Sequence, residues 1–195
     1  MKTRQHGFTM IELIVVIVIL GILAAVALPR FTNVQRDARI AKLNAARGAV
    51  QAASAMIHGA VLARGGLPDT PPACPGGGGN ANNLAGAAGT VCTENGVIAT
   101  VFSYPSSAAA LGAAPPGIVS AAGLTSVFNP NLAQLNAEGY GAAVAAGVTQ
   151  ISVIGGPGTV GAAGAQTNPT CSFAYTDPAV ANTAPVLGAN NVAGC

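Results

Sequence analysis

The sequence predicts an α+β protein: a long N-terminal α-helix and a small globular head built on an antiparallel sheet. Three observations lead there. Apolar residues recur in steps of three and four far beyond the first apolar run, reaching Val61. Gly65-Gly66 and Pro68 then stop that pattern. Beyond the stop, three short segments with period-two alternation stand among Gly-, Ala-, Pro- and Asn-rich stretches.

Residues 1–7, MKTRQHG, are short, polar and basic. From Leu13 to Leu28 no charge occurs. At roughly 1.5 Å per residue, a helix over 8–28 nearly matches a hydrocarbon core of about 30 Å. Two processing schemes fit this start. In one, signal peptidase cuts after the A-x-A box Ala25-Val26-Ala27 and the apolar run is discarded. In the other, a peptidase cuts between Gly7 and Phe8, and the run is retained as a structural helix.

Glu12 bears on that choice. A carboxylate inside an apolar segment costs about 2.5–3.5 kcal/mol on insertion scales. A discarded signal has no use for it, whereas a retained helix can use it as a charge partner. Cleavage before Phe8 frees an α-amine, and Phe8 and Glu12 lie four residues apart on one helix face. The pair can form within one chain or between the Glu12 of one copy and the amine of the next. The competing reading is that Glu12 only marks the membrane edge.

Gly7-Phe8-Thr9-Met10-Ile11-Glu12-Leu13 resembles the type IV prepilin cleavage motif, G|FTxIEL. The motif combines a short basic leader, a Gly-Phe junction, the Glu and an apolar run at fixed positions. The resemblance covers about residues 1–65. It implies the type IV pilin fold, cleavage after Gly7 by a prepilin peptidase/N-methyltransferase, methylation of Phe8, and use of Phe8 and Glu12 in assembly. Membrane residence before assembly, an inner-membrane assembly platform and a helical homopolymer at the cell surface are implied with it.

The helical stripe continues through Ile40, Leu43, Ala46, Val50, Ala53, Ile57 and Val61, with Arg36, Arg39, Lys42, Arg47 and Gln51 largely off it. A helix from about Thr9 to Arg64 follows. Its first half is apolar all round and needs lipid or other subunits about it, and its second half can carry a head on one face. Pro29 lacks an N–H and weakens the helix, as does Gly21. A simple kink is one outcome; the pilin resemblance implies that Gly21–Pro29 unwinds in a filament. The expected organisation is a leader at 1–7, a filament-core helix at 8–28, its amphipathic continuation at 29–64 and a head at 65–195.

In the head, strands are expected at Val97–Tyr104, Val148–Ile154 and Cys171–Thr176, and short helices near Pro116–Leu124 and Asn131–Ala137. Cys74, Cys92, Cys171 and Cys195 all fall there, which points to disulfides and an oxidising compartment. Of the three pairings, Cys74–Cys92 and Cys171–Cys195 each close a local loop and are favoured. Short likenesses to the mannose-sensitive haemagglutinin pilin group occur in 28–39, in Tyr104-Pro105 with Gly117-Ile118 and 121–124, and in 171–175.

Charge excludes several functions. All eight Lys and Arg precede residue 65, and the head's only charges are Asp69, Glu94, Glu138 and Asp177, formally −4. Nucleic-acid binding is not expected without a basic patch on the head. Counting charges beside the span favours the opposite membrane orientation; the cysteines and the seven-residue leader overrule it and place the head outside the cytoplasm. The Gly76–Gly79 run lacks the Lys and Ser/Thr of a phosphate loop. The cysteine spacing lacks partner histidines for zinc, and Asp177 stands alone for calcium. His6 leaves with the leader and His58 reads as a packing residue, so no catalytic site, metal or cofactor is expected. The resulting function is a structural pilus subunit for adhesion or motility. A type II secretion pseudopilin and a monomeric membrane-anchored binding protein are the alternatives.

Overall fold

The structure is a computed structural model that describes residues 8–107, 111–145 and 147–195. The fold is α+β, with a long N-terminal helix and antiparallel sheets. The first helix, α1, runs Met10–Arg64 and is continuous through Gly21 and Pro29 in the single chain. It ends where the sequence stops it: Gly65 and Gly66 take φ of 60° and 73°, a region open to glycine. The Gly65 N–H donates to the Leu62 carbonyl at 3.1 Å.

By internal contacts the chain forms two units, one up to Ala38 and one from Arg39 to Cys195. The second includes the latter part of α1 because that part supplies the core. Leu43, Ala46, Val50, Ala53, Ile57 and Val61 are all buried, and Ile40 packs half-buried beside them. This is the stripe that the spacing predicts.

Two sheets divide that stripe between them. Strands β1 (Gly89–Thr93), β2 (Gly96–Val101) and β3 (Tyr104–Pro105) form the first, in that order. Val91 and Ile98 pack there on Ile57 and Val61. Strands β4 (Tyr140–Ala145), β5 (Val148–Val153), β6 (Ser172–Thr176) and β7 (Val186–Leu187) form the second. Ile151, Val153, Phe173 and Tyr175 join Leu43, Ala46 and Val50 in one cluster. Every pairing is antiparallel. The buried Tyr175 hydroxyl of β6 donates to the Pro105 carbonyl of β3 at 2.7 Å, tying one sheet to the other.

Several expected elements change. The strand expected over Val97–Tyr104 folds back on itself: it stops at Val101, and Phe102 and Ser103 turn the chain with φ of 47° and 72°. Neither is a usual turn residue for positive φ, so nothing in the sequence marked the reversal. Pro105 then occupies an edge strand, where its missing N–H does no harm. The three expected strands fall in two sheets rather than one, β2 in the first and β5 and β6 in the second. The helix expected at 116–124 shrinks to α2, Ile118–Ala121, confined by Pro116 and by Gly123 at φ 61°. Helix α3, Leu132–Ala137, begins at the Asn131 cap, whose side chain accepts from the Gln134 N–H at 2.9 Å while Gln134 Oε1 accepts from the Asn131 N–H.

Candidate functional site

The first turn of α1 holds the candidate residues. Glu12 occupies the third position of the helix, and Thr9 precedes the helix as its cap. The Glu12 N–H donates to Thr9 Oγ1 at 3.3 Å, and the Thr9 N–H and hydroxyl donate to Glu12 Oε2 at 3.4 and 3.2 Å. This is a capping box, the reciprocal arrangement that satisfies otherwise open amides at a helix start. It gives Glu12 a role within one chain that the sequence reading missed. The signal was Thr9-x-x-Glu12 ahead of an apolar run. Gly7, the other half of the expected processing point, lies outside the described residues. Phe8 is described and 79% exposed.

Along the apolar run that follows Glu12 the helix buries none of its large side chains. Leu13, Ile14, Val15 and Val16 are exposed, as are Ile17, Val18, Ile19 and Leu20 after them, and the exposed apolar surface continues to Val34. Among the described residues α1 is the one helix long and apolar enough to cross a membrane, and none of its most apolar window is buried. A core helix would bury that window. In water its exposure is unfavourable by about 25 cal/mol per Å² of apolar surface, so lipid or protein must cover it.

The basic residues that follow serve two purposes. Arg30 is exposed. Arg39 and Lys42 hold the second sheet and its loops: Arg39 Nε donates to the Cys195 carbonyl, and Lys42 Nζ donates to the Glu138 carbonyl. Lys42 also lies 4.3 Å from the Tyr140 ring centroid, a cation–π placement. Desolvation lowers its pKa, with the Glu138 charge opposing. Gly139 at φ 75° permits this approach, since a Cβ there would stand 2.6 Å from Lys42 Nζ. At the far end of α1, Arg64 binds Asn83 Oδ1 at 3.2 Å and the Cys92 carbonyl at 2.9 Å, with Asp69 at 3.9 Å. Disulfides join Cys74 to Cys92 and Cys171 to Cys195.

The groups considered for chemistry have structural employment. His58 stacks on Tyr104 with ring centroids 4.0 Å apart. The Gly76–Gly79 run closes a turn on Cys74, whose N–H donates to the Gly79 carbonyl at 3.0 Å. Asp177 uses both carboxylate oxygens on Ser107, accepting from its N–H at 2.7 Å and its hydroxyl at 2.8 Å. Among the described residues no three His, Cys, Asp or Glu side chains cluster as metal ligands.

Burial raises the Asp177 pKa above its ordinary 3.8, and the Ser107 hydrogen bonds oppose that rise. The native state therefore holds this proton more tightly than the unfolded chain. As pH rises from 3.8 through the raised native value, stability falls, and below 3.8 this contribution is fully present. Acidification through that window is expected to stabilise the wild type relative to Asp177→Asn, which does not titrate. Urea unfolding of both proteins in detergent between neutral pH and pH 3.8 measures the difference; a gap that moves the other way on acidification contradicts it.

The prokaryotic N-terminal methylation motif matches residues 2–28. The N-terminal part of this chain is similar to that of type IV pilins. Similar proteins include the type IV narrow pilus major component PilA5 of Thermus thermophilus, 49% identical over 53 residues, covering 27% of this chain and 46% of that one. Fimbrial protein EcpB of Eikenella corrodens is 42% identical over 69 residues, 35% of this chain and 41% of its own. The type IV major fimbrial protein FimA of Dichelobacter nodosus is 40% identical over 53 residues, 27% and 34% respectively. The chain thus spans less than half the length of each of these pilin relatives. No solved structure matches the chain.

Proposed function

We propose that this chain is a structural subunit of a type IV pilus-like filament, polymerising through α1. The observation that carries the reading is the charge-free run Leu13–Leu28, wholly unburied, behind a methylation motif that keeps one carboxylate at Glu12. A discarded signal needs no such carboxylate, and a monomeric anchor needs only lipid. A polymer can use both the apolar surface and the charge: neighbouring helices cover the first, and the Phe8 amine of another copy meets the second.

The proposal extends to the chain's organisation. Residues 1–7 are a leader removed by a prepilin peptidase/N-methyltransferase. Residues 8–28 form the filament core, 29–64 its continuation and 65–195 the head. The precursor resides in the inner membrane with its head on the oxidising side, as the two disulfides favour. The assembly platform transfers it to a surface fibre. Gly21–Pro29, helical in the single chain, unwinds on assembly, since Pro29 has no N–H to give to the Ala25 carbonyl. The pilus reading is favoured over a secretion pseudopilus because the similar proteins named above are pilus or fimbrial proteins.

Removing Lys2 and Arg4 takes the formal charge from +2 to 0. What remains is a basic helix and an acidic head. Mass spectrometry of the mature N-terminus is expected to find methylated Phe8. A mature chain beginning at Leu28, after the A-x-A box, excludes polymerisation through this helix.

A further inference from the structure

The head has four acidic side chains, and two of them are occupied. Asp69 lies 3.9 Å from Arg64. Asp177 is bound by Ser107. Glu138 is exposed, and it is its backbone carbonyl that accepts from Lys42. Glu94, exposed in the turn between β1 and β2, has no donor or cation on it among the described residues. It borders an apolar groove of about 400 Å³ between α1 and the first sheet, lined by Ala53, Met56, Ile57, Ile98 and Phe128. Met56 is 66% exposed there, more than a well-covered methionine would be.

The complementary surface is on the same chain. All cations precede residue 65, so nothing in the head can neutralise Glu94 on another copy except through α1. Arg39, Lys42 and Arg64 are already spent on head carbonyls and side chains. Arg30 is exposed, and among the described residues it makes no ion pair. It shares a helix face with Val34, four residues on, and Phe31 adjoins it. Phe31 and Val34 are 63% and 64% exposed. One short helical stretch therefore presents an aromatic ring, a branched aliphatic side chain and a guanidinium together. The groove offers an apolar floor and a carboxylate together.

We propose that the Glu94 groove receives the Arg30–Val34 stretch of a second copy, with Phe31 and Val34 on its apolar floor and Arg30 paired to Glu94. This rests on the filament reading and names the surface by which one head engages the helix of another subunit. The match is both apolar and electrostatic, and the charge pair sets which copies dock and in what register, the use to which interfacial charges are best suited. Asp69 and Asp177 do not compete, because each is engaged within its own chain, and Glu138 does not border the groove.

Charge exchange tests it in the full chain in cells that assemble the fibre. Glu94→Arg and Arg30→Glu are each expected to lower sheared-fibre yield by about tenfold or more, because like charges then face each other across the contact. Precursor in the membrane and the protease-resistant head are expected at wild-type levels. The double exchange restores fibre yield to within about threefold of wild type, since it re-forms the pair with reversed sign. A double exchange as poor as the singles overturns the proposal, as do singles that assemble normally. A second measurement uses Glu94→Cys with Arg30→Cys in one chain, the four native cysteines being already paired. Oxidised fibres of this variant are expected to give a ladder of cross-linked multimers on a non-reducing gel. Abundant fibres that run only as monomer overturn the groove contact and leave the filament reading standing. Absence of any fibre from the wild-type chain overturns the filament reading itself.

Discussion

Replacing Glu12 is expected to abolish fibres while leaving the subunit in the membrane. Two effects of the carboxylate must be separated, because the structure shows it already engaged with Thr9. Loss of a capping interaction costs about 0.5–2 kcal/mol of helix stability. Removing the charge makes insertion easier by about 2.5–3.5 kcal/mol. On balance Glu12→Ala inserts at least as well as the wild type. A charge-assisted hydrogen bond to the amine of another copy is worth roughly 1.5–3 kcal/mol, a factor of about ten to a hundred for each subunit added. Glu12→Gln divides the cases. Its side-chain oxygen can still accept from Thr9, as glutamine does in capping boxes, but it carries no charge. Fibre loss in both variants, with precursor undiminished, assigns assembly to the charge. Fibres from Glu12→Gln but not from Glu12→Ala would assign it to the cap. Normal yield from both refutes any part for Glu12 in assembly.

The same residue shows how unevenly the sequence discloses the molecule. Its cost in an apolar run and its spacing from Phe8 are plain in one dimension. The Thr9 cap is equally local and was overlooked because attention fell on the charge. The second half of α1 was legible because six buried positions, Leu43 to Val61, keep helical spacing without exception. β2, β5 and β6 were legible from branched and aromatic residues at period two. β4 was not. Tyr140–Ala145 is mostly alanine and glycine, poor strand formers, and becomes a strand because all six residues pair in register with β5. Tertiary pairing overrides propensity there, and no local window contains that information. The long-range clasps are hidden for the same reason: nothing near Arg39 in the chain indicates the Cys195 carbonyl, nor anything near Tyr175 the Pro105 carbonyl. Glu94 could be singled out only once the partners of Asp69 and Asp177 and the place of the groove were known.

Breaking the Cys171–Cys195 disulfide is expected to unfasten the second sheet more than any single change elsewhere in the head. The bridge closes a loop with a sequence separation of 24. In the loop-entropy model its loss costs about 3 kcal/mol, out of a total that for a domain is about 5–15 kcal/mol. The Cys74–Cys92 bridge closes a loop of similar size, with a separation of 18, so chain entropy alone predicts nearly equal effects. The surroundings do not. Cys171 and Cys195 lie in the main cluster with Leu43, Val50 and Phe173, whereas Cys74 packs only with Ala81, Val97 and Cys92. The Cys195 carbonyl also accepts from Arg39 on α1. Asn168, fully buried, adds a donation to the neighbouring Gly194 carbonyl at 3.1 Å. Freed from Cys171, the Cys195 segment keeps these polar contacts and the Gly194 N–H donation to the Thr170 carbonyl but loses its covalent tie to β6. Cys171→Ala/Cys195→Ala should therefore lower the urea midpoint of the head further than Cys74→Ala/Cys92→Ala, and expose sites after β6 to protease first. The far N-terminal part of α1 makes none of these contacts, so its helicity in detergent should not change in either variant. Equal losses from the two pairs would reduce the bridges to chain entropy, and an unchanged midpoint under reducing conditions would remove them from the account of head stability.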